Sequence, residues 1–142
     1  FTHDKKVIVE EFIKGRELEC AVLGTDNPFA SEVGEILSCN DFYDYDAKYI
    51  LGTSGLNIPA NIPKEASLEI RETAVKAFKA LGCFGLSRVD FFLADNGKVY
   101  LNELNTMPGF TSISMYPKLM ENLGIPYGEL LDRLIKLAYE RN

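Results

Sequence analysis

From Glu17 to Leu23 polar and apolar residues alternate in steps of two, the spacing of a strand with one face buried. The preceding Val7-Ile8-Val9-Glu10-Glu11-Phe12-Ile13 is equally rich in β-formers and ends at Lys14-Gly15, so the two segments read as strands joined by a tight turn. Turn formers fill Thr25-Asp26-Asn27-Pro28, and looser alternation from Ala30 to Leu37 fits a third strand. From Ser38 to Pro63 no period survives, and Tyr43, Tyr45 and Tyr49 interleave with Asp41, Asp44, Asp46, Gly52 and Gly55. A loop this long in a compact domain is expected to be a lid or binding loop, the alternative being a surface excursion packed by its own tyrosines. Helical spacing begins after Pro63: Leu68, Ala74, Ala77, Phe78 and Leu81 fall mainly on one stripe, and Gly82 stops it. Leu86 to Ala94 and Lys98 to Asn105 read as strands around Asp95-Asn96-Gly97, where Asn-Gly is a strong hairpin signal. Ser112 to Leu123, interrupted early by Pro117, and Tyr127 to Glu140, with Leu130, Leu131, Leu134, Ile135 and Leu137, predict two closing helices.

The hairpin predicts more than a turn. If Asn96 and Gly97 are its two turn residues, Asp95 pairs with Lys98, Asp90 with Glu103 and Arg88 with Asn105. Strict alternation then puts Arg88, Asp90 and Phe92 on one face with Val99, Leu101, Glu103 and Asn105. Directly opposed residues have Cβ atoms ~4.5–5.5 Å apart, where two carboxylates repel and need compensation. A hard divalent cation supplies it, since Asp, Glu and Asn are oxygen donors that Mg²⁺ accepts alongside phosphate oxygens and water. Arg88 beside them offers a planar fork suited to phosphate or to an oxyanion. The competing reading is a solvated sheet face with Arg88 in a surface salt bridge, against which the apolar Phe92, Val99 and Leu101 on that face weigh. Beyond Asn105, a Pro108-Gly109 turn runs into Thr111, Ser112 and Ser114 at a helix start, which is either a plain N-cap or an anion site at free N–H groups.

Composition narrows the partners. A hydrophobic content of 46% over 142 residues supports one domain, or most of one, with a real core. The net charge of -6, with no cluster of more than two adjacent Lys or Arg, argues against nucleic acid. Cys20, Cys39 and Cys83 are widely spaced, with neither a CxxC pair nor a neighbouring histidine, so no disulfide framework or zinc site is expected and a reducing cytoplasm fits. Apolar runs fall far short of the ~20 residues that span a bilayer, and no secretory leader is seen. The start at Phe1, with strand-like sequence a few residues later, suggests an excised piece.

Four strings carry a resemblance. Val9-Glu10-Glu11-Phe12-Ile13-Lys14-Gly15-Arg16-Glu17, Tyr43-Asp44-Tyr45-Asp46-Ala47-Lys48-Tyr49, Ser87-Arg88-Val89-Asp90 and Asn102-Glu103-Leu104-Asn105-Thr106-Met107-Pro108-Gly109-Phe110-Thr111-Ser112 occur in this order. In them the chain resembles the D-alanine:D-alanine ligase family of the ATP-grasp superfamily, over almost its whole length.

The resemblance implies an α+β fold, the ATP-grasp C-terminal domain, with a mainly antiparallel sheet and helices packed on one side. Residues 1–16 would end the central subdomain and 17–142 would form the C-terminal domain carrying the metal, phosphate and second-substrate site. Glu10, Glu11 and Ile13 correspond to the strand that reads adenine, Phe12 and Phe92 to packing surfaces for its ring, and Glu17 to the ribose contact. Lys48 and Tyr49 fall in the loop that closes over the site, Lys48 toward the phosphates and Tyr49 near the second substrate. Asp90, Glu103 and Asn105 match the ligands of two Mg²⁺ ions, for which Mn²⁺ can substitute. Arg88 and the Gly109 backbone match groups that stabilise the tetrahedral intermediate, and Ser114 the contact to the second D-alanine's carboxylate. The implied activity is ATP-dependent joining of two D-alanines through an acyl phosphate for peptidoglycan precursor synthesis. The implied partners are ATP and D-alanine, with no nucleic acid or membrane, and a homodimer is open to the full-length enzyme. No side-chain nucleophile is needed, so His3, the single histidine, reads as a solvated bystander. The family's N-terminal domain and the preceding part of its central domain have no counterpart here, so this chain alone is expected to be inactive. Alternatives are a D-alanine:D-lactate or D-alanine:D-serine ligase, another ATP-grasp carboxylate-amine ligase and, in a different class, a non-catalytic nucleotide- and Mg²⁺-binding module.

Overall fold

The computed structural model describes residues 5–37 and 55–141. Lys48, Tyr49 and the rest of the tyrosine- and aspartate-rich stretch up to residue 54 lie outside those residues, as does His3. The first two strands, β1 (Gly15–Gly24) and β2 (Phe29–Leu37), pair antiparallel, and β3 (Gly55–Asn57) adds to β2. Helix α1 (Lys64–Ala80) follows, then the hairpin β4 (Gly85–Ala94) and β5 (Val99–Asn105), and finally α2 (Met115–Asn122) and α3 (Tyr127–Glu140). The sheet order is β3-β2-β1-β4-β5, and all four neighbouring pairs are antiparallel.

The α+β, antiparallel architecture is the expected one, but the helices divide between the two faces of the sheet. Alternation along β1 explains the division. Leu18, Cys20 and Val22 point to one face, where Ala66, Ile70, Ala74 and Phe78 of α1 meet them together with Val89, Phe91 and Leu93 of β4. Ala21 and Leu23 point to the other, under Met115, Tyr116, Leu119 and Met120 of α2 and Leu130 of α3. A strand buried on both faces at its C-terminal half needs two apolar layers, and one layer of helices would leave Ala21 and Leu23 wet.

Three further expectations change. The buried stripe of α1 is Ala66, Ile70, Ala74 and Phe78, every fourth residue, while Leu68 and Leu81 face solvent. Pro117 does not interrupt α2. As its third residue it lacks an N–H only where the first turn has no acceptor for one. Residues 7–13 form no strand, because no strand of the described residues lies beside them, and Val9 and Phe12 are 90% and 86% exposed.

The hairpin reaches the expected pairing by an unexpected route. Its turn has three residues, Asp95-Asn96-Gly97, closed by Ala94 N–H to the Lys98 carbonyl at 3.0 Å and Gly97 N–H to the Ala94 carbonyl at 2.8 Å. Gly97 takes φ +83°, which a side chain would resist. Leu93 therefore pairs with Val99, Phe92 with Tyr100 and Phe91 with Leu101, one residue out of the two-residue register. A bulge at Asn102 restores it, so Asp90 faces Glu103 and Arg88 faces Asn105. Val99 and Leu101 accordingly share the α1 face with Leu93 and Phe91, and not the face of Asp90, where they were expected.

Candidate active site

Rows of side chains run across the second face, and they can be read from the register. Nearest the α2 and α3 layer, Leu23 pairs with Leu86. One step along come Ala21, Arg88 and Asn105, then Gly34, Glu19, Asp90 and Glu103, and then Ile36, Glu17, Phe92 and Tyr100. The apolar row lies under the helices, which also cover Ala21, Gly34 and Ile36 in the charged rows, while Glu103 at the other end is exposed.

Arg88 forks onto Asp90, with Nε donating to Oδ1 at 2.8 Å and Nη2 to Oδ2 at 2.7 Å. Its Nε also lies 3.2 Å from Oε2 of Glu19, whose residue is only 4% exposed. Burial pulls the Arg88 guanidinium down, but the hydrogen bond to Asp90 and the charges of Glu19, Asp90 and Glu103 outweigh it and hold it above its ordinary value. On the other side, the Asn105 amide donates to Asp90 Oδ2 at 3.2 Å and to Glu103 Oε1 at 2.9 Å. The cluster thus holds three carboxylates, one guanidinium and one amide, a local charge of -2.

That surplus is what a divalent cation offsets. Among the described residues no three His, Cys, Asp or Glu side chains converge on one point. Glu19 and Glu103 sit two strands apart, roughly 9–10 Å from twice the interstrand spacing. Asp90, Glu103 and Asn105 do converge, and two carboxylates with an amide leave coordination positions open. Asn105 turns its Nδ2 to both carboxylates, and with the amide turned over its oxygen would join theirs in a set that suits Mg²⁺ or Mn²⁺, which complete their shells with phosphate oxygens and water.

The loop after Asn105 is built by its own side chains. Ser114 precedes α2, and its Oγ accepts the Thr111 N–H at 3.0 Å and lies 2.9 Å from Thr111 Oγ1. A Cβ on Gly109 would come within 3.0 Å of Ser114 Oγ, so glycine is needed for this close approach. Phe110 anchors the loop through ring contacts with Tyr116 and Tyr127, and Tyr127 donates its hydroxyl to the Phe110 carbonyl at 3.0 Å.

The structure therefore brings together Arg88, Asp90, Glu103 and Asn105, with Glu17 and Phe92 facing each other in the adjacent row and Gly109 and Ser114 on the following loop. It does not bring in Glu10, Glu11 and Phe12, which are exposed on the segment entering β1, nor Ile13 beside them. Sequence spacing missed Glu19 as a member. The signal was in the β1 alternation, since Glu19 shares its face with Ala21 and Leu23, whose apolarity marks that face as covered.

The chain is similar to known D-alanine–D-alanine and D-Ala:D-Ser ligases. D-alanine–D-alanine ligase of Acetivibrio thermocellus is 64% identical over 140 residues, which are 98% of this chain and 37% of that relative. A D-Ala:D-Ser ligase structure from Enterococcus faecalis superposes on 89% of this chain with a TM-score of 0.77 and 47% identity, over 37% of its own length. A D-alanine–D-alanine ligase from Bacillus anthracis, solved in complex with ATP, superposes on 92% of this chain with a TM-score of 0.74 and 27% identity, over 40% of its length. The chain thus spans about two-fifths or less of these relatives. Residues 1–136 match the family described as D-ala D-ala ligase C-terminus, and the chain belongs to that family.

Proposed function

We propose that the full-length protein is an ATP-dependent ligase that joins two D-alanines through an acyl phosphate, and that this chain contributes its metal, phosphate and second-substrate site. The observation that carries the reading is the convergence of Asp90, Glu103 and Asn105 beside Arg88, with Glu17 and Phe92 in the next row. Residues 1–16 would belong to the central subdomain and 17–142 to the C-terminal domain.

Phosphoryl transfer to a carboxylate asks the protein for position and charge neutralisation more than for covalent chemistry. Phe92, with Glu10, Glu11, Phe12 and Ile13 once the preceding part of the polypeptide pairs with them, would hold adenine, and Glu17 the ribose. Asp90, Glu103 and Asn105 would hold two Mg²⁺ ions, which screen the phosphate oxygens when bound. Arg88 and the Gly109 N–H would stabilise the oxyanion that forms as the second D-alanine's amine attacks, while Ser114 would hold that D-alanine's carboxylate. Lys48 and Tyr49 would close over the site from the intervening loop. The work would be done in the cytoplasm, by a homodimer if the full-length protein assembles.

The D-Ala:D-Ser relative motivates a second reading, in which the second substrate is D-serine. Phosphate release by the full-length protein from ATP, with D-alanine alone, D-alanine plus D-serine, or neither, and with or without Mg²⁺, tests both. D-alanine-dependent, Mg²⁺-dependent release is expected. No release in any arm would sink the ligase reading, and release that appears only with D-alanine and D-serine together would move the second substrate to D-serine.

A further inference from the structure

Asp90 is asked for twice. Both its oxygens are taken by Arg88, and Oδ2 also accepts from Asn105, yet Asp90 is also the carboxylate that Glu103 and Asn105 need to complete a cation site. Three of the roughly four lone-pair sites on Asp90 are thus filled, and a cation gains full access to it when the guanidinium loosens its fork. A guanidinium with 17% of its side chain exposed then needs another anion close by, because a buried charge without a partner is costly. Glu19 is that anion. It lies directly across from Asp90 on β1, 3.2 Å from Arg88 Nε, and its side chain is 5% exposed.

The fold keeps Glu19 in place and away from the cation. On its far side the row continues to Gly34, where a Cβ would meet Met115 Sδ at 2.9 Å and Leu119 Cδ2 at 3.0 Å, so α2 closes over this end. Strand β4 lies between Glu19 and Glu103 and puts Asp90 in the middle of the row, and the three carboxylates do not gather on one point. The row thus has a guanidinium end at Glu19, a cation end at Glu103, and Asp90 shared between them.

We propose that Glu19 is a positioning residue: it holds Arg88 over the site when Asp90 turns to the divalent cation. The inference rests on the ligase reading for its kinetic consequence but not for its binding consequence, and the two are measured separately. In the full-length protein with ADP, Mn²⁺ binding is followed by electron paramagnetic resonance in wild type, Glu19→Gln, Glu19→Asp, Arg88→Gln and the Glu19→Gln/Arg88→Gln double variant. Without the Glu19 charge, Arg88 clings to Asp90. Glu19→Gln should therefore bind Mn²⁺ roughly tenfold more weakly, the size of one charge-assisted hydrogen bond. Glu19→Asp, with its carboxylate drawn back by one methylene, should lose about threefold on the same scale and serves should Glu19→Gln melt below the assay temperature. In the Arg88→Gln background Glu19→Gln should change Mn²⁺ binding by less than about twofold, because no guanidinium remains to be held. Equal weakening in both backgrounds would make Glu19 a bare charge near the ion and overturn the proposal, as would wild-type affinity in both Glu19 variants. Kinetically, Glu19→Gln should lower kcat and raise the Mg²⁺ concentration that gives half-maximal rate. A wild type without D-alanine-dependent phosphate release would defeat the ligase reading and leave the Mn²⁺ comparison standing.

Discussion

Arg16 and Arg88 make the same two-pronged grip on a carboxylate, one on each face of the sheet, and differ in what surrounds the grip. Arg16 donates Nε and Nη2 to Glu35 at 2.6 and 2.7 Å and Nη1 to the Asn61 carbonyl at 2.9 Å. One cation meets one anion beneath the segment leading to α1, and nothing charged is left over. Arg88 makes its fork to Asp90 with Glu19 and Glu103 in the same row, so the charges do not cancel. A balanced pair locks two strands and a loop together. An unbalanced one leaves a deficit for a ligand to fill, which is the difference between structure and site.

Substitutions that treat the two pairs alike should separate them, and the largest effect is expected at the site. Asp90→Asn in the full-length protein should cut turnover about a thousandfold, the scale for losing a metal ligand or an oxyanion donor. Its unfolding free energy should move by less than about 1 kcal/mol, since one of three crowded like charges is removed. Parallel steady-state kinetics and urea unfolding check this, and a large stability loss with turnover intact would erase the contrast. Glu35→Gln should do the reverse, costing about 1–2 kcal/mol of stability with kcat unchanged. That figure is kept low because the Arg16 side chain is 37% exposed.

Acid should dissolve the first pair in a predictable direction. The Arg16 hydrogen bond holds the Glu35 carboxyl below its ordinary value, against burial, which raises it. The pair therefore contributes fully above the ordinary glutamate value of ~4.3 and is lost as pH falls through the lower folded value. The melting-temperature gap between wild type and Glu35→Gln should be constant near neutral pH and close below about pH 4. A gap that widened in acid would contradict the assignment. The smallest effect is expected at the hairpin turn, where Gly97→Ala should cost about 1 kcal/mol for its positive φ. The turn lies away from both forks, so kcat per folded molecule should hold.

Much of this was legible in the chain. Period-two alternation located β1, β4 and β5, helical spacing located α1 and α3, and the Asp90–Glu103 and Arg88–Asn105 pairs follow from counting back from Asn96-Gly97. Those pairs were reached because two departures offset each other, the third turn residue and the bulge at Asn102. Neither has a strong local signature, since Asp95-Asn96-Gly97 suits both two- and three-residue turns and a bulge depends on the partner strand. The faces of Val99 and Leu101 were lost for the same reason. Strand-like residues 7–13 show the converse limit, because β-propensity describes a surface that fits a sheet and cannot supply the neighbour.

Local chemistry determined which residues could act: oxygen donors at Asp90, Glu103 and Asn105, a fork at Arg88, and a glycine and hydroxyls beyond them. Tertiary packing alone decided that Glu19 joins them, that Arg88 must serve two carboxylates, and that helices close one end of the face and leave the other open. A strand records in its own sequence which side each residue takes. What lies across from it, and whether that side is covered, depends on elements tens of residues away, and the balance of buried charge is settled only when they meet.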